Sequence, residues 1–244
     1  MNIQEIPTIF REDIEDASLA ILSEINDRLI LIGGWAVRAH LGQSHGRFTL
    51  DVDGVADERD LTAIRERLET LGLKEVRTDW GVKFWSKYSP RYPVPDQVKS
   101  ALEGVELRVE ISGPRTQDIE THHFFEFSLT EYDTKEIAYH RRDRSLAVRV
   151  PPIETMAAVK LGLPVDFKNN HDVVGLLQVC DRDAVVREIL RTDDWCEMVL
   201  RRIPKLVGRI RQRGRLENAL AIERGIDISE HVENLRYIEG SLSR

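Results

Sequence analysis

Leu29-Ile30-Leu31-Ile32-Gly33-Gly34-Trp35-Ala36-Val37, followed further on by Phe48-Thr49-Leu50-Asp51-Val52-Asp53-Gly54-Val55, is the stretch on which the fold turns. Four bulky aliphatic residues in a row suit a buried strand, and Gly33-Gly34 ends that strand in a tight turn. Trp35 to Leu41 then reads as a short helix with Gly42 as its C-cap. The alternation from Phe48 to Val55 predicts a second strand with Asp51 and Asp53 on one face. A strand, a glycine turn, a helix and a strand bearing an acidic pair together describe an α/β unit.

Upstream, Ile14, Ala17, Leu19, Ile21, Leu22 and Ile25 roughly follow helical spacing and predict a first helix over Arg11 to Asn26. Downstream, Leu61, Ile64, Leu68 and Leu71 predict a helix over Asp60 to Leu71, capped by Gly72. Strands are expected over Leu73 to Arg77, Val82 to Lys87 and Val105 to Ile111, with a proline-rich loop over Ser89 to Asp96. Phe124 to Leu129 and Ala147 to Val150 add strand material, whereas His122 to Arg144 fits no single pattern. Beyond Pro151-Pro152 the pattern turns helical, with helices expected over 153–163, 173–179, 184–190, 195–203, 216–222 and 228–238. The expected architecture is therefore α/β: a small mixed-sheet domain over 1–150 and a mostly α-helical domain over 151–244.

Composition narrows the classes of function. A chain of 244 residues with 41% hydrophobic content sustains a core, which excludes wholesale disorder. With Lys and Arg at 35 against 42 Asp and Glu, the net charge of −7 excludes a basic nucleic-acid coat. Two cysteines exclude a disulfide scaffold and suit a reducing cytosol. The charged residues between Glu5 and Asp16 exclude a signal-peptide core, and no apolar run approaches the ~18 residues of a membrane helix. A cytoplasmic chain with no membrane span is expected. No serine-hydrolase elbow or Walker sequence is present. Trp35, Trp80, Trp85 and Trp195 read as packing residues, and His40, His45, His122, His123 and His171, which show no metal-ligand spacing with one another, as structural or solvated.

The residues that carry chemistry are acidic. Side chains at positions i and i+2 of a strand share a face about 7 Å apart at Cα, so Asp51 and Asp53 suit joint binding of one or two divalent cations. A solvated strand face yields the same Asp-x-Asp. The Gly33-Gly34 turn ahead of a helix lets backbone N–H groups approach an anion, although many such turns bind nothing. In Val105-Glu106-Leu107-Arg108-Val109-Glu110-Ile111, Glu106, Arg108 and Glu110 share one face, so either glutamate is available as a third carboxylate; a solvated edge strand also fits. Arg201, Arg202, Lys205, Arg209, Arg211, Arg213 and Arg215 form a basic run uninterrupted by acids. It reads as a contact for a phosphate-rich acceptor such as RNA, as a docking site for an acidic partner, or as a solvated helix face paired with Glu217 and Glu223.

Gly33-Gly34-Trp35-Ala36-Val37 with Arg47-Phe48-Thr49-Leu50-Asp51-Val52-Asp53 resembles the polymerase-β-like nucleotidyltransferase superfamily. Its signature is a Gly-Gly or Gly-Ser turn, an acidic pair split by one apolar residue, and a later strand carboxylate. The Gly-Gly-Trp-Ala start is similar to aminoglycoside and lincosamide nucleotidyltransferases. The Arg-x-Thr-x-Asp-x-Asp segment is closer to the AbiEii/AbiGii-type toxin nucleotidyltransferases of toxin–antitoxin systems. The likeness runs from Ile30 to Cys180. It implies transfer of a nucleoside monophosphate from a nucleoside triphosphate to an acceptor hydroxyl on tRNA or other RNA, protein or a small molecule, by a toxin with an antitoxin protein as partner.

By the same resemblance, Mg²⁺ or Mn²⁺ is held by Asp51, Asp53 and Glu110, which are also the catalytic residues. The triphosphate is contacted by Gly33, Gly34, Lys160 in Ile153–Leu161, Lys168 and Asp172. The chain departs from the family pattern in having Glu110 for the commoner Asp, Gly54 after the second aspartate, and Gly175 where relatives often carry another Asp. The alternative is a catalytically inactive nucleotide- or partner-binding relative.

Overall fold

A computed structural model of the chain describes residues 6–42, 45–78, 81–117 and 123–244, so Trp80 and His122 lie outside the described residues. Two compact units emerge. One comprises Met1–Pro114 with Ser128–Val150, the other Arg115–Phe127 with Pro151–Arg244.

In the first unit, the aliphatic run becomes strand β1 (Ile30–Ile32) and the glycines open helix α2 (Gly33–Leu41) directly. Gly42, with φ at 75°, ends that helix by donating its N–H to the Arg38 carbonyl at 2.8 Å. Helix α1 (Thr8–Ser23) starts behind Pro7, and α3 (Glu58–Thr70) starts where the Asp57 carboxylate accepts the Arg59 N–H at 2.8 Å. Strands β2 (Asp51–Val55), β3 (Lys74–Thr78), β4 (Gly81–Lys87) and β5 (Glu106–Ser112) join β1 in one five-stranded sheet of order β1-β2-β5-β4-β3. The pair β2–β5 is parallel and the other pairs are antiparallel. A parallel pair needs a crossover, and the connection from β2 to β5 contains α3, β3, β4 and helix α4 (Asp96–Glu103). Val52, Val109, Ile111 and Phe84 point to the buried face, and the intervening charged residues to the other.

The structure differs from the sequence reading at several places. The strand expected over Phe48 to Val55 pairs only from Asp51, and the residues before it bond to helix side chains rather than to a neighbouring strand. Helix α4, which the periodicity did not reveal, is a single amphipathic stretch behind Pro95 that buries Leu102. The segment over 122–144 holds part of a hairpin, β8 (Asp133–Ala138) with β9 (Ser145–Val150), which lies beside β1 and α2.

Helix α1 is not an ordinary amphipathic helix. Besides Phe10, Ile14, Leu19 and Leu22 it buries Asp13, Glu15 and Asp16. Buried carboxylates require partners. Asp13 accepts from Arg91 Nε at 2.6 Å and from the Tyr88 hydroxyl. Asp16 accepts the His140 N–H at 2.8 Å. Glu15 meets Arg38 Nη2 at 2.6 Å and His140 Nε2 at 2.7 Å. Burial pushes the Glu15 carboxyl up, but the hydrogen bonds from His140 and Arg38 outweigh it and hold the group below the usual carboxylate range. The Glu15 hydrogen bond raises His140 above its ordinary value. The contribution of His140 to stability is thus complete below its unfolded value of ~6.5 and fades as pH rises through the raised folded value. The melting temperature of wild type should exceed that of His140→Gln most at pH 6 and by a narrower margin at pH 9. A margin that widens with pH would remove the charged pair from this account.

The second unit contains the short hairpin β6 (Arg115–Gln117) with β7 (Phe124–Glu126) and the helices α5 (Ile153–Gly162), α6 (Phe167–Leu176), α7 (Arg182–Leu190), α8 (Asp193–Arg211), α9 (Leu216–Glu223) and α10 (Ile228–Leu242). Trp195 is its central side chain. The indole N–H donates to the Ala158 carbonyl at 3.0 Å, and a Cβ at Gly162 would meet the ring at 2.3 Å, so α5 and α8 approach closely only at a glycine. Helix α6 begins six residues earlier than expected because Asp166 caps it, accepting the Asn169 N–H at 2.7 Å. Helix α8 continues through Pro204 because Met198, Val199 and Ile203 before it and Leu206 and Ile210 after it are all buried. No helix among the described residues is long and apolar enough to cross a membrane.

Candidate active site

The parallel register of β2 and β5 places Asp51 opposite Arg108 and Asp53 opposite Glu110. On the far side of β5, Lys83 of β4 stands opposite Glu110. Since Asp53 is also opposite Ile32, one row across the sheet reads Ile32, Asp53, Glu110, Lys83. Residues that alternate along a strand share a face, so Asp51, Asp53, Glu106, Arg108, Glu110 and Lys83 lie on the same side of the sheet.

The electrostatics of that face are unbalanced. Burial, and then the charge of Asp51, push the Glu110 carboxyl above its ordinary value, against the opposing pull of Lys83 and Arg108. Lys83 Nζ stands 3.8 Å from Glu110 Oε1. Asp51 Oδ1 is buried and has no hydrogen-bond partner among the described residues. A buried carboxylate oxygen with nothing to accept is costly unless a cation or donor completes it.

Gly33 explains why the turn sits here. Its φ of 68° favours glycine, and a Cβ on it would lie 2.1 Å from Asp53 Oδ2. The turn backbone is therefore pressed against the second carboxylate. At Gly34 a Cβ would meet Arg47 Nη2 at 2.1 Å, so a guanidinium lies over the second glycine. Sequence reasoning did not single out Lys83 or Arg47. The alternation along β4 is the signal that puts Lys83 on the acidic face, and Arg47 precedes the acidic pair in the quoted motif.

Asp51, Asp53, Glu110, Gly33 and Gly34 thus come together. Glu106 does not join them in the same way: its carboxylate is held by Arg108 Nη2 at 3.0 Å, and its row lies opposite Lys87. Lys160, Asp172 and Lys168 belong to the helical unit. There Lys160 Nζ, almost fully buried, forms an ion pair with Asp172 Oδ2 at 2.8 Å and reaches Asn169 Oδ1 at 3.4 Å. Asp172 lies inside α6, and Lys168 is exposed in that helix's first turn.

The three carboxylates fit a divalent cation. They are hard oxygen ligands, and one oxygen, Asp51 Oδ1, is buried with no partner among the described residues. Glu110→Gln should therefore weaken Mn²⁺ binding by about 10²-fold, the scale of losing one positioned charge. Glu106→Gln should change it little, since it breaks a half-exposed ion pair worth at most about 1 kcal/mol. Titration of Mn²⁺ followed by electron paramagnetic resonance decides, and a larger loss in Glu106→Gln would shift the third ligand along β5.

No protein-family model and no curated protein matches the sequence. Among solved structures, MenT4, a nucleotidyltransferase toxin from Mycobacterium tuberculosis H37Rv, superposes with a TM-score of 0.52 at 17% identity, covering 96% of this chain and 83% of that one. The antibiotic-resistance factor ANT(2'')-Ia gives 0.46 at 16% identity over 73% of this chain and 89% of its own. JHP933 from Helicobacter pylori gives 0.44 at 15% identity over 96% and 92%. The chain has the fold of a nucleotidyltransferase: a mixed five-stranded sheet with helices, accompanied by a helical part.

Proposed function

We propose that the protein is a metal-dependent nucleotidyltransferase that moves a nucleoside monophosphate from a nucleoside triphosphate to an acceptor hydroxyl. The observation that carries this reading is the row Asp53–Glu110 beside Asp51: Asp51 Oδ1 is buried with no partner among the described residues, and the Gly33 turn packs on the Asp53 carboxylate. Asp51, Asp53 and Glu110 would hold Mg²⁺ or Mn²⁺. When bound, such an ion neutralises charge on the transferring phosphoryl group and on the leaving pyrophosphate. The Gly33-Gly34 turn at the start of α2 is assigned to the phosphates by resemblance, and Arg47 adds positive charge over it. Glu110, its carboxyl raised above its ordinary value by burial and by the charge of Asp51, is assigned to take the acceptor's proton. The acceptor oxygen bonds to the α-phosphorus while the bond to the pyrophosphate oxygen breaks. Lys160, Lys168 and Asp172 are assigned to the triphosphate by resemblance alone; Lys160 is paired with Asp172 in the helical unit.

The likeness of fold to MenT4 and the resemblance of the motifs to AbiEii-type toxins support the role of a toxin with an antitoxin partner. For the acceptor, the basic run is reduced by internal use. Arg202 is buried, and Arg209 is spent on Glu217 at 2.7 Å and on the Val165 carbonyl at 3.2 Å. Lys205, Arg211 and Arg213 remain exposed and favour RNA.

The test is incubation of the full chain with labelled triphosphates, Mg²⁺ and cellular RNA, protein or lysate small molecules. Labelled acceptor with released pyrophosphate is expected. Nucleotide binding without turnover would establish the inactive relative. If RNA is labelled, neutralising Lys205, Arg211 and Arg213 should weaken RNA binding and flatten its salt dependence by about one counterion per lost contact. An unchanged slope would place the RNA elsewhere.

A further inference from the structure

The buried carboxylates of α1 take no part in that chemistry, yet one of them acts on the segment that delivers the acidic pair. Residues 47–50 precede β2 and belong to no ladder. Their backbone groups are held by helix side chains instead. The Arg47 carbonyl accepts from Arg38 Nη2, the Thr49 N–H donates to Glu15 Oε1 at 2.8 Å, and the Leu50 carbonyl accepts from Ser18 Oγ at 3.0 Å. Glu15 is 4% exposed, Arg38 5% and Ser18 1%. The same Glu15 oxygen that holds Thr49 holds Arg38 at 2.6 Å, so one carboxylate ties α1, α2 and the approach to β2 together.

We propose that Glu15, with Arg38 and Ser18, is a positioning residue for the acidic pair, fixing the backbone from Arg47 to Leu50 so that Asp51 and Asp53 present one geometry to a divalent cation. The inference rests on reading that pair as cation ligands. Asp51 follows Leu50 directly, and a ligand set tolerates displacements of only about 0.5 Å. In a ladder, a neighbouring strand would set the conformation of these residues. Here the Glu15 carboxylate does so, and replacing it with an amide strands the Arg38 guanidinium in a buried place and weakens the hold on Arg47 as well. Ser18 is the milder handle, since its single hydroxyl proton is shared between the Leu50 carbonyl and the Ile14 carbonyl at 3.1 Å and its removal leaves no charge unpaired.

The test compares Mn²⁺ affinity, read from the resonance of the free ion, in the full wild-type chain, Glu15→Gln, Ser18→Ala and a control, Ile64→Val, that trims the core of the same unit at α3. Circular dichroism and melting temperature establish folding. Glu15→Gln should bind Mn²⁺ about 10-fold more weakly, as removal of a ligand's supporting partner does. Ser18→Ala should lose roughly 3-fold, within the range of one hydrogen bond. Ile64→Val should retain wild-type affinity. Unchanged affinity in folded Glu15→Gln overturns the inference; if that variant does not fold, unchanged affinity in Ser18→Ala does so. An equal loss in Ile64→Val also overturns it, because the effect would then follow stability rather than position. A wild-type chain that binds no Mn²⁺ overturns the metal reading itself and the inference with it.

Discussion

Asp51→Asn and Asp53→Asn should each lower nucleotidyl transfer by at least ~10²-fold and abolish measurable Mn²⁺ binding, while leaving the chain folded. The two substitutions preserve shape and remove only charge. Without metal, Asp51 and Glu110 repel one another, so the metal-free Asp51→Asn chain should melt at or above the wild-type temperature. Adding Mg²⁺ should raise the melting temperature of wild type, because a ligand that binds only the folded chain stabilises it, and should not raise that of the variant. The charge of Asp51 stands second only to burial in raising Glu110, so in Asp51→Asn the Glu110 carboxyl should titrate lower, toward its ordinary range, by carboxyl-carbon NMR. Wild-type transfer in both variants would dismiss the acidic pair from catalysis.

The second large effect is expected at Gly33. An alanine there takes a left-handed φ of 68°, which costs an L-residue about 1–2 kcal/mol, and its Cβ would fall 2.1 Å from Asp53 Oδ2 and 2.9 Å from Asp53 Cβ and Cγ. Moving the tip of a side chain does not relieve three such contacts; the whole Asp53 side chain must rotate away. Gly33→Ala should therefore lose stability by about 2–3 kcal/mol in denaturant titration and lose Mn²⁺ binding together with transfer. Gly34→Ala is the comparison. Its nearest neighbour is the guanidinium end of the Arg47 side chain, with the Thr49 methyl at 3.0 Å, and its φ is not left-handed. It should keep Mn²⁺ binding and lose affinity mainly for the triphosphate. If Gly33→Ala binds Mn²⁺ as wild type does, the turn and the carboxylate are independent.

These two sites were legible because each leaves a local mark. A period of two over Asp51–Val55 and Glu106–Ile111 assigns carboxylates to one face whatever the strands pair with, and a double glycine after an aliphatic run marks a turn that excludes side chains. Helical periodicity after Pro151 is likewise a short-range property, but no local pattern shows that Arg115–Phe127 join the second compact unit rather than the first. The helix start at Phe167 was missed although its capping Asp166 stood beside it, and the start at Asp96 has only Pro95 ahead of it and no capping side chain; one or two residues decide a boundary and carry little weight in a periodic pattern.

What no local pattern contains is which strand lies beside which. Glu106 and Glu110 look alike along β5, and only the parallel register with β2 sets Glu110 opposite Asp53 and leaves Glu106 to Arg108. Lys83 reaches Glu110 because β4 pairs on the other side of β5. The carboxylates of α1 show the limit most clearly. Asp13, Glu15 and Asp16 read as surface charge in a helix, and they are buried because Arg91, Arg38 and His140 arrive from distant parts of the chain. The cost of burying a charge depends on its partners, and those are brought by the tertiary fold alone. Sequence by itself determined the strand faces, the glycine turn and the acidic residues available for chemistry. The tertiary structure decided which carboxylates meet, and which one instead holds the backbone leading to them, because pairing register and charge burial are non-local quantities.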